Sequence, residues 1–198
     1  MSDVPTILTD IMKKDREKDA GSVRRKWVIS ITIFAFLLSV FMSLFSETVL
    51  RNSTLITAFI VLIVIVLMGV VFDIIGVAVT VAEDKPFHSM AAGKIKGARS
   101  SLRLIKNASR VSNVCNDVVG DTCGIISGTA AAFIVTQADE IGFMDKTAFA
   151  LILSGMVASV TIGGKALGKE FAILHAKEII RIMGRIIAIF TEHKIKKK

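Results

Sequence analysis

The residues best placed to do chemistry lie in one apolar stretch, Val111 to Gln137, VSNVCNDVVGDTCGIISGTAAAFIVTQ. Asn113, Asn116, Asp117, Gly120, Asp121, Gly124, Ser127 and Gly128 recur three or four residues apart. On a helix that spacing gathers them on one face, with Val114, Val118, Val119, Ile125 and Ile126 elsewhere. A carboxylate at the centre of a hydrocarbon-spanning helix costs roughly 2.5–3.5 kcal/mol on insertion scales. A chain carrying two of them must neutralise them with a lysine, a metal ion or protons.

The elements that hold this stripe are membrane helices. The chain has 198 residues and is 53% hydrophobic, with no tyrosine and two prolines. Its mean hydropathy is +0.65. Long uncharged runs predict an all-α integral membrane protein of four transmembrane helices with amphipathic juxtamembrane helices. The formal net charge of +8 flanks apolar spans, so it sets orientation and draws anionic lipid at the cytoplasmic face. No basic helix lies beside base-reading or aromatic residues, so nucleic acid is not an expected partner.

In chain order, residues 1–26 form a charged cytoplasmic segment ending in Arg24-Arg25-Lys26, with Val4, Ile7, Leu8, Ile11 and Met12 at helical spacing. The apolar run that follows is long and has no small-residue cleavage site after it, so no signal peptide is expected. A first span covers 27–46, with Trp27 as an interfacial aromatic. After a short loop, Glu47 to Asn52, a second covers 53–82 and carries Asp73, with Gly76 and Thr80 on the same face. The loop Glu83–Arg110 holds seven basic residues, and 92–107 has the spacing of an amphipathic surface helix. The third span is 111–137 and the fourth 147–166, rich in Ser154, Gly155, Ala158, Ser159, Gly163 and Gly164, a composition that allows close helix approach. A second surface helix is expected over 169–190, with a basic tail at 191–198. Basic residues fall at the N-terminus, in Glu83–Arg110 and at the C-terminus, which places both termini in the cytoplasm.

At 1.5 Å per residue, Asp73 lies roughly 30 Å along an outside-to-inside helix. Asp117 lies roughly 9 Å from the inner boundary and Asp121 a turn deeper. Lys165 lies roughly 27 Å along the last span. Asp73, Asp117 and Lys165 can therefore meet in the inner half of the membrane, as a polar cavity open to the cytoplasm or as an ion-pair cluster that ties helices together. Cys115 and Cys123 are eight residues apart on one helix, about 12 Å along its axis, too far for a disulfide. His88, His175 and His193 share no metal-ligand spacing. With no phosphate loop, nucleophile elbow or zinc motif, enzymatic activity is not expected.

Three segments resemble the transmembrane domain of the cyclin M (CNNM) and CorC/CorB magnesium transporters. They are Phe72-Asp73-Ile74-Ile75-Gly76-Val77-Ala78-Val79, then Gly97-Ala98-Arg99 through Leu104-Ile105 with Asn116-Asp117-Val118-Val119-Gly120-Asp121, and Gly164-Lys165-Ala166-Leu167-Gly168-Lys169. Their order, spacing and topology agree with that family over roughly 53–190. The resemblance implies a homodimer in the cell membrane, such as the bacterial inner membrane. It also implies a cytoplasm-facing cavity and magnesium as the bound and transported ion, with 27–46 as an added helix and no CBS pair. The family's Ser and Glu are here Ile75 and Gly76, its two motif asparagines are Asp117 and Asp121, its later Glu is Lys165 and its Pro is Gly168. Magnesium takes oxygen ligands, which Asp117, Asp121, Asp73, Asn113 and Asn116 could supply. Lys165 is their charge partner. The alternative is a non-transporting scaffold or regulatory subunit with the same fold, its ion site locked by Lys165.

Overall fold

The computed structural model describes residues 4–51, 53–140, 142 and 145–195, with side chains described for 25, 27–51, 53–140, 142 and 145–190. The chain divides into two units, residues 1–40 and 41–198. Among the described residues there is no strand. Among the same residues, four helices are long and apolar enough to cross a membrane: Trp27–Arg51, Leu55–Val81, Ala108–Glu140 and Lys146–Leu174.

Helix α1 is Val4–Arg51, so residues 27–46 and the expected loop after them are one helix. Leu50 and Ser46 are buried at 3% exposure each. Leu50 packs with Ala58, Leu62 and Ile134, and this packing carries the helix past Glu47. Only residues 52–54 connect to α2, and Asn52 lies outside the described residues. The side chains of Val4, Ile7, Leu8, Ile11 and Met12 also lie outside them, as do those of the tail 191–198.

Helix α2, Leu55–Val81, is the axis of the second unit. Thr54 caps it, its hydroxyl accepting from the Thr57 amide at 3.5 Å. Its buried residues Ala58, Leu62, Ile65, Val66, Gly69, Asp73 and Gly76 recur every three or four positions, which marks one packed face. At one end that face joins Ala130, Ile134 and Leu153. At the other, Ala78 and Val79 join Phe87, Ala172 and Ile180. Between the two apolar clusters, the buried residues of α2 are Gly69, Asp73 and Gly76.

Within the Glu83–Arg110 region the helix expected over 92–107 is shorter and is accompanied by others. The region holds α3 (Lys85–Ala92), α4 (Ala98–Lys106) and the start of α5 (Ala108–Asn113). The break is at Gly93–Gly97, where Lys94 and Gly97 have positive φ of 54° and 89°. At Gly97 this is a left-handed conformation suited to glycine. Residues 114–120 then wind as a π-helix and continue into α6, Asp121–Glu140. The third span is therefore longer than 111–137 at both ends. Its turn to the next helix is closed by Lys146 Nζ on Asp139 Oδ2 at 3.1 Å.

Helix α7 runs Lys146–Leu174 without a break, capped by Asp145, whose carboxylate accepts from the Ala148 amide at 3.0 Å. The expected boundary at 166–169 is absent because Gly168 and Ala172 are buried against the core and keep the helix going. At 29 residues it is about 43 Å long and exceeds one hydrocarbon thickness. Helix α8, Ala176–Ile195, follows after His175.

Candidate functional site

Four glycine contacts set the register around Asp73. A Cβ on Gly69 would lie 3.1 Å from Cys123 Cβ. One on Gly76 would collide with the carboxamide of Asn116. Positions rise on α2 as they fall on the third span, so the two are antiparallel. Asp73, between Gly69 and Gly76 on one face, is therefore level with the π-helical turn Asn116–Gly120. A Cβ on Gly164 would lie 3.1 Å from Val70 Cγ2, and one on Gly168 would lie 2.7 Å from Ile74 Cγ1. Helices α2 and α7 thus run parallel, with Lys165 about two residues, roughly 3 Å, along the axis from the level of Asp73.

This layer is polar and incompletely bonded. Asp73 is 5% exposed and its Oδ2 has no hydrogen-bond partner. Asn116 Oδ1 is likewise buried and without one. Asn116 Nδ2 donates to Ser112 Oγ at 3.3 Å, which fixes the side chain from the preceding turn and aims the carbonyl at Gly76. Buried polar groups are nearly always satisfied, so two orphaned oxygens a turn apart mark a place where positive charge or a donor is favoured. The π-helix adds to this: its i→i+5 bonding opens the backbone locally, and such turns cluster at functional sites.

Of the expected ligands, Asp73 and Asn116 face this layer. Asn113 is half-buried, and Asp117 and Asp121 are exposed on the outer face of the span. The structure therefore does not enclose all five in one cavity. Among the described residues, no group of three or more His, Cys, Asp or Glu side chains is placed to hold a metal. Lys165 is half-buried, with Nζ 3.7 Å from where a Cβ on Gly120 would be. It shares the level of the carboxylates, as the depth arithmetic required. Among the described residues it is in no ion pair. Its ammonium lies over the backbone of Gly120, where an added Cβ would make only an ordinary contact with it. Cys115 and Cys123 are buried and unbridged.

The π-helical turn, the Ser112 brace and the seating of Asn116 over Gly76 were not anticipated. Gly76, Gly120 and Asn116 all carry the signal in sequence, since small residues facing a polar one suggest close helix approach, but only the register identifies the pairs. A second unanticipated feature is a groove of about 600 Å³ between α6 and α7, lined by Gly124, Ser127, Gly128, Ser154, Ala158 and Thr161 among others. A Cβ on Gly124 or Gly128 would meet nothing within 4 Å.

Comparison with protein-family models, with curated proteins and with solved structures returns no match for the chain.

Proposed function

We propose that the chain is a multi-pass membrane transporter of divalent cations, magnesium first among them, working as a homodimer in the cell membrane. The observation that carries this reading is the buried Asp73 Oδ2 without a partner, about one turn along α2 from the unpartnered Asn116 carbonyl. Ionisable groups inside a membrane bundle are costly and mark ion paths. Magnesium gives up its water reluctantly and is commonly held by one or two carboxylates with several waters retained. A site with one carboxylate, one carboxamide oxygen and a loosened backbone turn suits such a partly hydrated ion. The ordered motif resemblance to the cyclin M and CorC/CorB transporters supports the same reading.

The basic segments give the orientation: both termini and the α3–α4 region are cytoplasmic, and Asp73 lies in the inner half of the membrane. Asp117 and Asp121, exposed on a membrane-spanning helix, need cover from lipid. A second copy of the chain provides it across the open small-residue face at Gly124 and Gly128, because small faces let helices approach closely. Lys165 then acts as a fixed cation beside the site. Conduction needs binding weak enough for release, and a neighbouring ammonium weakens it.

The second reading, a scaffold whose site is locked by Lys165, is favoured by the ammonium's place in the same layer. Replacing Lys165 separates the two. Flux of magnesium into proteoliposomes, followed with an enclosed indicator, tests the first. Wild type is expected to move the ion, and Asp73→Asn to fall to the background of empty vesicles. Equal flux in both would remove Asp73 from the path.

A further inference from the structure

Helix α8 carries three stripes. Ala176, Ile180 and Gly184 are buried. Ile182, Ile186, Ile189 and Phe190 are 56%, 41%, 68% and 74% exposed on the opposite side. Lys177, Arg181 and Arg185, all exposed, recur every four residues along one border between the two. A helix of this kind lies in the membrane interface with its apolar stripe toward the acyl chains and its cations at headgroup level.

The buried stripe is clamped to α4. Ser101 Oγ donates to the Ile180 carbonyl at 2.9 Å. A Cβ on Gly97 would come within 2.7 Å of Arg185 N and 2.9 Å of Arg185 Cα, and one on Gly184 would come within 2.7 Å of the Gly97 carbonyl oxygen and collide with Ser101 Oγ. Backbone meets backbone at this crossing. The residues one step beyond each glycine, Lys96 and Arg185, are thereby held side by side although they are distant in sequence. With Ile95, Ala188 and Ile189 they line a cavity of about 360 Å³. Among the described residues no acidic side chain lines it and neither cation is in an ion pair.

We propose that this cavity binds the phosphate headgroup of an anionic membrane lipid. Arg185 offers a planar fork that matches phosphate oxygens in pairs, and Lys96 a point charge beside it. Ile189 belongs both to the cavity and to the exposed apolar stripe, so a phosphate held between the cations has its acyl chains running along Ile186, Ile189 and Phe190. A free phosphate ion would use only the cationic half. Basic pockets of this kind at the cytoplasmic surface recognise lipid headgroups. The inference stands apart from ion transport, since Asp73 and Asn116 take no part in it.

The test is native mass spectrometry of the full chain, stripped of lipid in detergent, with added phosphatidylglycerol or phosphatidylcholine. Wild type is expected to retain phosphatidylglycerol in preference to phosphatidylcholine. Lys96→Gln and Arg185→Gln are each expected to cut retention about fivefold, and the double variant about 25-fold. Arg51→Gln, at the far end of the bundle, is expected to leave it unchanged. The proposal is overturned if the double variant retains phosphatidylglycerol like wild type, or if phosphatidylcholine is held equally well. It is also overturned if millimolar inorganic phosphate displaces the lipid, which would make this a small-anion site.

Discussion

Asp73 and Asn116 owe their states to their neighbours' lack of side chains. Gly76 has no Cβ, so the Asn116 carboxamide can lie against α2. Gly76→Ala is expected to displace Asn116, because the added carbon overlaps its carboxamide. Overpacking of this type costs about 1–3 kcal/mol. Thermal denaturation in detergent checks the cost, and loss of any magnesium-dependent shift checks that Asn116 has left the site. Lys165→Met gives a sharper discrimination. If Lys165 only weakens an ion site, its removal strengthens magnesium-linked stabilisation and changes stability in chelator little. If it locks the site, its removal leaves the buried Asp73 carboxylate without compensation and destabilises by about 3–5 kcal/mol. Melting curves with and without magnesium give opposite signs for the two cases.

At the scale of elements, what decided the outcome was packing rather than periodicity. The three- and four-residue spacing in α2 and in the third span was legible, because a membrane helix must display its few polar residues on one face. The joints were not. The first helix passes through Glu47 because Leu50 is buried further on, and α7 passes through Lys165 because Gly168 and Ala172 are. Conversely, 92–107 looked like one amphipathic helix, but the Gly97–Gly184 crossing demands a left-handed residue and splits it. The π-helical turn has no signature in residue type that a repeat of 3.6 would reveal. Gly97→Ala tests the crossing: at φ 89° with Arg185 backbone within 3 Å, the change is expected to cost more than the roughly 1 kcal/mol of a freely placed left-handed alanine. It should also expose the α4–α8 amides to hydrogen exchange while those of α2 stay protected.

For the whole molecule, helix rise brings Asp73 and Lys165 to neighbouring levels along the bundle but does not say which side of a helix a residue takes. Depth follows from helix rise alone. The side follows from which helices are neighbours, so Asp117 and Asp121 were grouped with Asp73 when they face outward. That outward face bears on assembly. Gly128→Leu adds a side chain where a Cβ meets nothing within 4 Å, so the single-chain fold is expected to survive. In a homodimer packed across that face it removes close approach. Light scattering in detergent is expected to give two chains per particle for wild type and one for Gly128→Leu, with unchanged circular dichroism. One chain per particle in both would exclude a dimer through this surface.

Whether Asp73 anchors a divalent cation, as proposed, is read more directly from binding than from flux. The measurement is the thermal midpoint of the detergent-purified protein against magnesium concentration, in wild type and Asp73→Asn. Asparagine keeps the shape and removes the charge. A ligand at about 100 times its dissociation constant stabilises by about 2.7 kcal/mol. A midpoint that climbs with magnesium in wild type and stays flat in Asp73→Asn is the expected result. A midpoint flat in wild type, or one climbing equally in both, would contradict the account.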